Sequence, residues 1–167
     1  MKIKLKKINN NARLPEKAHE GDFCFDVWAV SEEEIAPNVW MYGLGFKYEI
    51  DRENWTQEYI DLLGFVDKEK DTFLNDCDIC IEFRPRSGIS NTGMILANSP
   101  GTCDEFFRGE PKAIFYHVMP NMTRYHKGER ILQANIALAP RVTWEWADDI
   151  DENTERGEGG FGSTGKQ

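Results

Sequence analysis

The stretch Leu132-Gln-Ala-Asn-Ile-Ala-Leu138 carries an aliphatic side chain at every second position. A period of two sends alternate side chains to opposite faces of an extended backbone, so the stretch reads as a β-strand with one face in a core. The same period runs through Ile79, Ile81 and Phe83, and through Ile3 and Leu5 near the N-terminus. Clusters of Gly, Pro, Asn and Ser separate these runs, and short strands joined by such turns predict an all-β sandwich or barrel-like domain. The segment from Asp51 to about Asp76 breaks the period. Within it Trp55, Tyr59, Ile60 and Leu63 fall at helical spacing, Asn54 stands as N-cap with Gln57 three residues on, and Gly64 stands as the stop. A helix of about ten residues, inserted at the surface of the β domain, is predicted there.

With 167 residues, 40% of them hydrophobic, the chain suffices for one compact domain with a real core. Its formal net charge of −9 argues against general nucleic-acid binding, which needs a basic stripe to release counterions. A small polyanionic substrate stays compatible with that charge if local arginines or a divalent cation offset the repulsion. Met1 to Ile8 alternates lysine with isoleucine or leucine, a strand pattern rather than a signal peptide. No run approaches the roughly 20 apolar residues of a membrane span. The expected location is therefore cytoplasmic, with Cys24, Cys77, Cys80 and Cys103 as reduced thiols. Cys77 and Cys80 form a CxxC, but it lies on the strand pattern around Ile79, with no histidine or second CxxC nearby. Structural thiols are the better reading than a zinc or redox site.

Five segments contain residue types suited to phosphate or nucleotide chemistry. Ala18 to Asp26 ends in an aspartate among apolar residues, where an ionised side chain needs a partner, either a hydrogen-bond donor or a metal. Arg84-Pro-Arg-Ser-Gly88 follows a strand and offers the planar fork of Arg86, the Ser87 hydroxyl and the unobstructed N–H of Gly88. Asn98 to Gly109 contains a tight hairpin marked by Pro100 and Gly101, then Asp104, which could orient and deprotonate a water, and two aromatics. Lys127-Gly-Glu-Arg-Ile-Leu-Gln133 is a charged turn leading into a strand. Finally, Asp148, Asp149, Asp151, Glu152 and Glu155 form an acidic linker before five glycines between Gly157 and Gly165. Composition alone reads that end as a solvated tail. Glycine N–H groups and the hydroxyls of Ser163 and Thr164 suit a phosphate, however, and Phe161 calls for something to pack on. Gly157 and Gly162 have P-loop separation, but Ser163 stands where that motif needs lysine and no helix follows, so a Walker loop is excluded.

Each segment alone is a weak signal. Together, and in this order, Ala18–Asp26, Pro85–Gly88, Asn98–Gly109, Gly128–Gln133 and Arg156–Gly165 closely resemble the five motifs of the homotrimeric dUTP pyrophosphatase (dUTPase) family. The resemblance covers nearly the whole chain except about Asp51 to Asp76. It implies a distorted jelly-roll, or β-clip, domain over residues 1–147 with the insertion at about 51–76, and a flexible linker and arm over 148–167. It also implies hydrolysis of dUTP to dUMP and pyrophosphate, supplying dUMP for thymidylate synthesis and limiting uracil in DNA.

By resemblance, Asp104 matches the aspartate that activates the water attacking the α-phosphorus. Arg86, Ser87 and Gly88 match phosphate contacts, with Ser87 stabilising charge at the bridging oxygen, and Gln133 matches a glutamine that helps hold the phosphate region. Asn98, Gly101, Thr102 and Cys103 would read the uracil edge, Phe107 would wall off the deoxyribose, and Lys112 joins the substrate-binding set. Asp26 matches a carboxylate that reaches Mg²⁺ through water. Arg156, Phe161, Gly162, Ser163 and Thr164 match an arm that closes over a neighbouring subunit's site, so a homotrimer with shared active sites is implied, without nucleic-acid or membrane partners.

Three departures stand out. Phe107 replaces the family's usual tyrosine, Phe23 and Cys24 replace small residues of the first motif, and the 51–76 insertion has no counterpart in the minimal enzyme. Two rival readings are a dCTP deaminase, whose catalytic glutamate would align with Ile114, and a non-enzymatic nucleotide-sensing trimer. The first lacks its glutamate here. The second does not account for Asp104, Ser87 and the complete tail occurring together.

Overall fold

The computed structural model of the chain describes residues 2–52, 77–155 and 157. The predicted helix at 54–63, with the rest of 53–76, lies outside the described residues, as do Arg156, Phe161, Gly162, Ser163 and Thr164 of the arm. The described residues form ten strands: β1 (Lys2–Lys7), β2 (Phe25–Trp28), β3 (Ser31–Ala36), β4 (Val39–Gly43), β5 (Phe46–Asp51), β6 (Cys77–Pro85), β7 (Met94–Leu96), β8 (Gly101–Asp104), β9 (Lys112–His117) and β10 (Arg130–Pro140). They pair antiparallel in three sheets, ordered β1-β5, β2-β10-β6-β8 and β3-β4-β9-β7. The fold is all-β, as the period-two pattern predicts.

β6 shows why. Cys77, Ile79, Ile81 and Phe83 are buried while the intervening residues are at least partly exposed. Ile79, Ile81 and Phe83 join Val27, Tyr42, Leu44, Phe46, Tyr48, Phe115, Ile131 and Leu132 in one core. Phe115 meets Tyr42 and Tyr125 edge-on, with ring centroids 5.7 and 5.5 Å apart, a favoured aromatic arrangement. The Tyr42 hydroxyl is kept from being a buried orphan by donating to the Tyr125 carbonyl at 2.8 Å.

In β10 the simple alternation fails in two places. A register shift between Arg130 and Leu132 lets the neighbours Ile131 and Leu132 both point inward, as a bulge does by inserting a residue into one strand. At the far end Leu138 remains exposed. The CxxC on β6 has a simple geometry. Residues three apart on a strand face opposite sides of the sheet, so Cys77 and Cys80 cannot jointly grip one ion. All four cysteines are free thiols.

Beyond Pro140, residues 141–155 carry no strand, and Val142, Trp144, Trp146 and Ile150 are exposed.

Candidate active site

The turn between β7 and β8 builds the first half of the predicted site; it does not close the expected hairpin, because β7 pairs with β9 in one sheet and β8 with β6 in another. It contains a cis Ser99–Pro100 bond, and β8 leaves it to pair with β6, Gly101 opposite Phe83 and Asp104 opposite Cys80. A cavity of about 310 Å³ opens beside it. Asn98, Gly101, Thr102, Cys103, Asp104, Phe107 and Lys112 all line this cavity, with Phe83, Leu96 and Leu132 among its apolar walls. An apolar slot with a few convergent polar groups has the general character of a small-molecule site. Asp104 is exposed to solvent on the edge strand β8. Burial pushes the Cys103 thiol up from its usual range, with the nearby Asp104 adding to the effect, so this lining sulfur stays neutral.

The turn after β8 is tightly held. Asp104 carbonyl accepts the Phe107 N–H at 3.0 Å. The Phe107 ring lies over Gly109, where a Cβ would come within 2.4 Å of its Cζ atom, so a side chain at 109 would displace the ring. Glu110 serves the scaffold: its Oε1 accepts the Gly45 N–H at 2.7 Å, and a Cβ at Gly43 would strike the same oxygen at 2.6 Å.

The second half gathers at the Pro85 end of β6. The register places Asp26 of β2 opposite Gln133 of β10, and Pro85 of β6 opposite Leu132. Arg86 therefore emerges beside Arg130 and Asp26. Asp26 is only 5% exposed, and its carboxylate accepts Arg86 Nε at 2.7 Å, Arg86 Nη2 at 3.4 Å and Arg130 Nη1 at 3.1 Å. Two guanidiniums on one carboxylate leave a surplus positive charge with fixed forks, an arrangement suited to an anion. Ser87 and Gly88 open the 3-10 turn Ser87–Asn91 directly after Arg86. Ser87 is exposed, and open space surrounds the Gly88 Cα.

The predicted residues thus come together as two groups rather than one. Asp104 sits opposite Cys80, whereas Arg86 and Ser87 begin past Pro85, five strand residues further on. At about 3.3 Å per residue this is roughly 17 Å of backbone, far beyond the reach of two short side chains converging on one phosphorus.

A family model for dUTPase matches residues 80–165. The deoxyuridine 5'-triphosphate nucleotidohydrolase of Alkaliphilus metalliredigens is 32% identical over 165 residues, covering 98% of this chain and 96% of that protein. The chain belongs to the dUTPase family. Membership makes it a hydrolase of nucleotide metabolism and separates it from the deaminase reading. Two solved structures show the same fold. A substituted Staphylococcus bacteriophage 80alpha dUTPase with dUpNHpp superposes with TM-score 0.71 at 18% identity, covering 99% of each chain. A substituted dUTPase from phage phi11 of S. aureus, described with a structural Mg(II) ion, superposes with TM-score 0.62 at 12% identity, covering 90% of this chain and 99% of that one.

Sequence reasoning passed over Tyr48, Arg130, Arg52 with Glu105, and Glu110. Arg130 lies within the motif Gly128–Gln133 and could have been suspected as a partner for Asp26. For Tyr48 the sequence carries no signal beyond an aromatic on the buried phase of a strand.

Proposed function

We propose that this dUTPase hydrolyses dUTP to dUMP and pyrophosphate at sites assembled between copies of the chain. The observation that carries the reading is the separation of the two residue groups along β6. Asp104, with the cavity that would hold uracil and deoxyribose, belongs to one subunit. Arg86, Ser87, Gly88 and Gln133, which would hold the phosphates, belong to a neighbour. The exposed Trp144 and Trp146 support association, since a chain working alone gains nothing from leaving them in water. In this reading residues 1–147 are the β domain, and 148–167 supply the arm whose Arg156, Phe161, Gly162, Ser163 and Thr164 close a site. A homotrimer is the closed arrangement proposed.

Asp104 would orient and deprotonate the water that attacks the α-phosphorus. The two guanidiniums and the Ser87 hydroxyl would stabilise charge on the phosphate oxygens, positioning and electrostatics carrying most of the rate. Asn98 and the backbone of Gly101–Cys103 would read the uracil edge, and the tight turn there would leave no room for thymine's methyl group. Phe107 would stack against the sugar, and Lys112 would add a local cation. The product dUMP would feed thymidylate synthesis, and its formation would limit uracil in DNA. The proposed location is the cytoplasm; among the described residues no helix is long and apolar enough to cross a membrane.

Mg²⁺ is the proposed cofactor, and the donor set of Asp26 fits a distant role for that residue. A carboxylate has about four lone-pair sites, of which the guanidiniums use three. What is left suits one metal-bound water rather than direct bidentate ligation, and magnesium characteristically keeps its waters and binds substrate phosphates. When bound, the ion would neutralise charge on the triphosphate.

Subunit mixing tests the shared site. Asp104→Asn and Arg86→Gln, each nearly inactive alone, should regain about a quarter of wild-type pyrophosphate release when coassembled in equal amounts, because random assembly joins two intact halves at that frequency. Mixed oligomers with no recovered activity would overturn the shared-site reading. Ammonia release from dCTP would overturn the substrate assignment.

A further inference from the structure

The carboxylate assigned above as the base stands on an edge strand. β8 has β6 on one side and no strand partner on the other among the described residues, and an edge strand is free to shift unless something else holds it. β5, from a different sheet, supplies that hold. Tyr48 is 2% exposed, and its hydroxyl donates to the main-chain carbonyl of Asp104. The same carbonyl accepts the Phe107 N–H, so both of its lone pairs are used and the Asp104–Glu105 peptide plane is fixed. The Tyr48 ring also faces that of Phe107, centroid to centroid 6.5 Å. Burial pushes the phenol well above its usual range, which keeps it a neutral donor across the working pH range. One residue beyond β5, Arg52 places its fork on Glu105, with Nη2 to Oε2 at 2.7 Å, and bonds the Cys77 carbonyl of β6 at 3.0 Å.

The geometry points to Tyr48 as a positioning residue for the hydrolysis, fixing the backbone that aims the Asp104 carboxylate, with the Arg52–Glu105 pair as second anchor of the same turn. This inference rests on Asp104 being the base. Tyr48 is not among the residues lining the cavity; it acts through the peptide plane.

A double-mutant cycle with Tyr48→Phe tests this. A misplacement of the order of an ångström costs up to about 10²-fold in rate. Removing one of two hydrogen bonds to the carbonyl should therefore lower kcat about tenfold, while KM for dUTP and Kd for dUpNHpp stay within about twofold. In an Asp104→Asn background the same change should alter residual turnover less than about twofold, because there is no longer a base to aim. An equal loss in both backgrounds, or a wild-type kcat in Tyr48→Phe, overturns the inference and leaves the base assignment standing. Near-normal turnover of Asp104→Asn alone overturns both. Should Tyr48→Phe fail to fold, Glu105→Gln, which preserves shape while weakening the Arg52 anchor, goes through the same cycle with the same criteria.

Discussion

Asp26 and Asp104 are the same residue type at the two ends of one sheet, and their surroundings are opposite. Asp26 is buried, and two guanidiniums occupy most of its acceptor capacity. Asp104 is exposed beside a cavity, and the hydrogen bonds that locate it fall on its backbone rather than on its carboxylate. A carboxylate that organises other charges has to be buried and paired, since truncating one partner of a buried pair leaves the rest uncompensated. One that takes a proton from water has to be reachable, with unoccupied lone pairs, so the scaffold can grip only its main chain. The contrast suits Asp26 to holding neighbouring charges in place and Asp104 to the role of base proposed for it.

The largest effect expected from this contrast is on rate. Asp104→Asn should lower kcat by about 10²–10⁴-fold, the span that general-base catalysis supplies. Affinity for dUpNHpp should change by no more than a few-fold, and the melting temperature should stay where it is. Steady-state pyrophosphate release, calorimetric titration with the analogue and a thermal scan together decide it. A variant that melts early while retaining its turnover would reverse the roles of the two aspartates.

How much of this could be read without coordinates differs between the two regions. β6 declared itself, because Ile79, Ile81 and Phe83 are its buried face. The turn at Asn98 to Gly101 was legible because turn chemistry is local, but the hairpin expected from it is not formed, since which sheets β7 and β8 join is decided by distant strands. Asp26 was legible as a residue in need of a partner, but its partners were not. Arg86 and Arg130 lie 60 and 104 residues away, and only the strand register of β2, β10 and β6 brings them together. Tyr48 was illegible altogether. An aromatic on the buried phase of a strand reads as core, and whether its hydroxyl finds a catalytic turn depends on how two sheets pack. Even the local period misleads where a bulge resets it, as at Ile131 and Leu132.

The second effect is on stability. Asp26→Ala should leave Arg86 and Arg130 facing each other without a counter-charge. It should cost about 3 kcal/mol, the low end for breaking a buried pair, because both arginines keep some contact with water. Urea unfolding at fixed protein concentration measures this directly. A loss of activity with an unchanged unfolding midpoint would move Asp26 into the chemistry and blur the contrast with Asp104.

The smallest effect concerns the turn that feeds Arg130 into β10, and it supplies a control for charge pairing away from both aspartates. Burial alone would raise the Glu32 carboxyl, but the Arg124 guanidinium at 3.3 Å and the Lys127 N–H at 2.8 Å outweigh it and hold the group below the usual carboxylate range. Arg124 is itself seated over the Trp40 ring, 3.6 Å from its centroid, so the pair is anchored on a strand of the third sheet. A carboxyl whose value is lower folded than unfolded stabilises above its unfolded value, near ~4.3, and that contribution disappears as pH falls through the folded value. Wild type should therefore lose an increment on acidification from pH ~5 to ~3 that Glu32→Gln does not lose, and at this partial exposure the increment should stay below about 1 kcal/mol. Comparing melting temperatures of the two proteins across that window measures it. Parallel acid-induced drops would mean that the Glu32 pairing contributes nothing to stability.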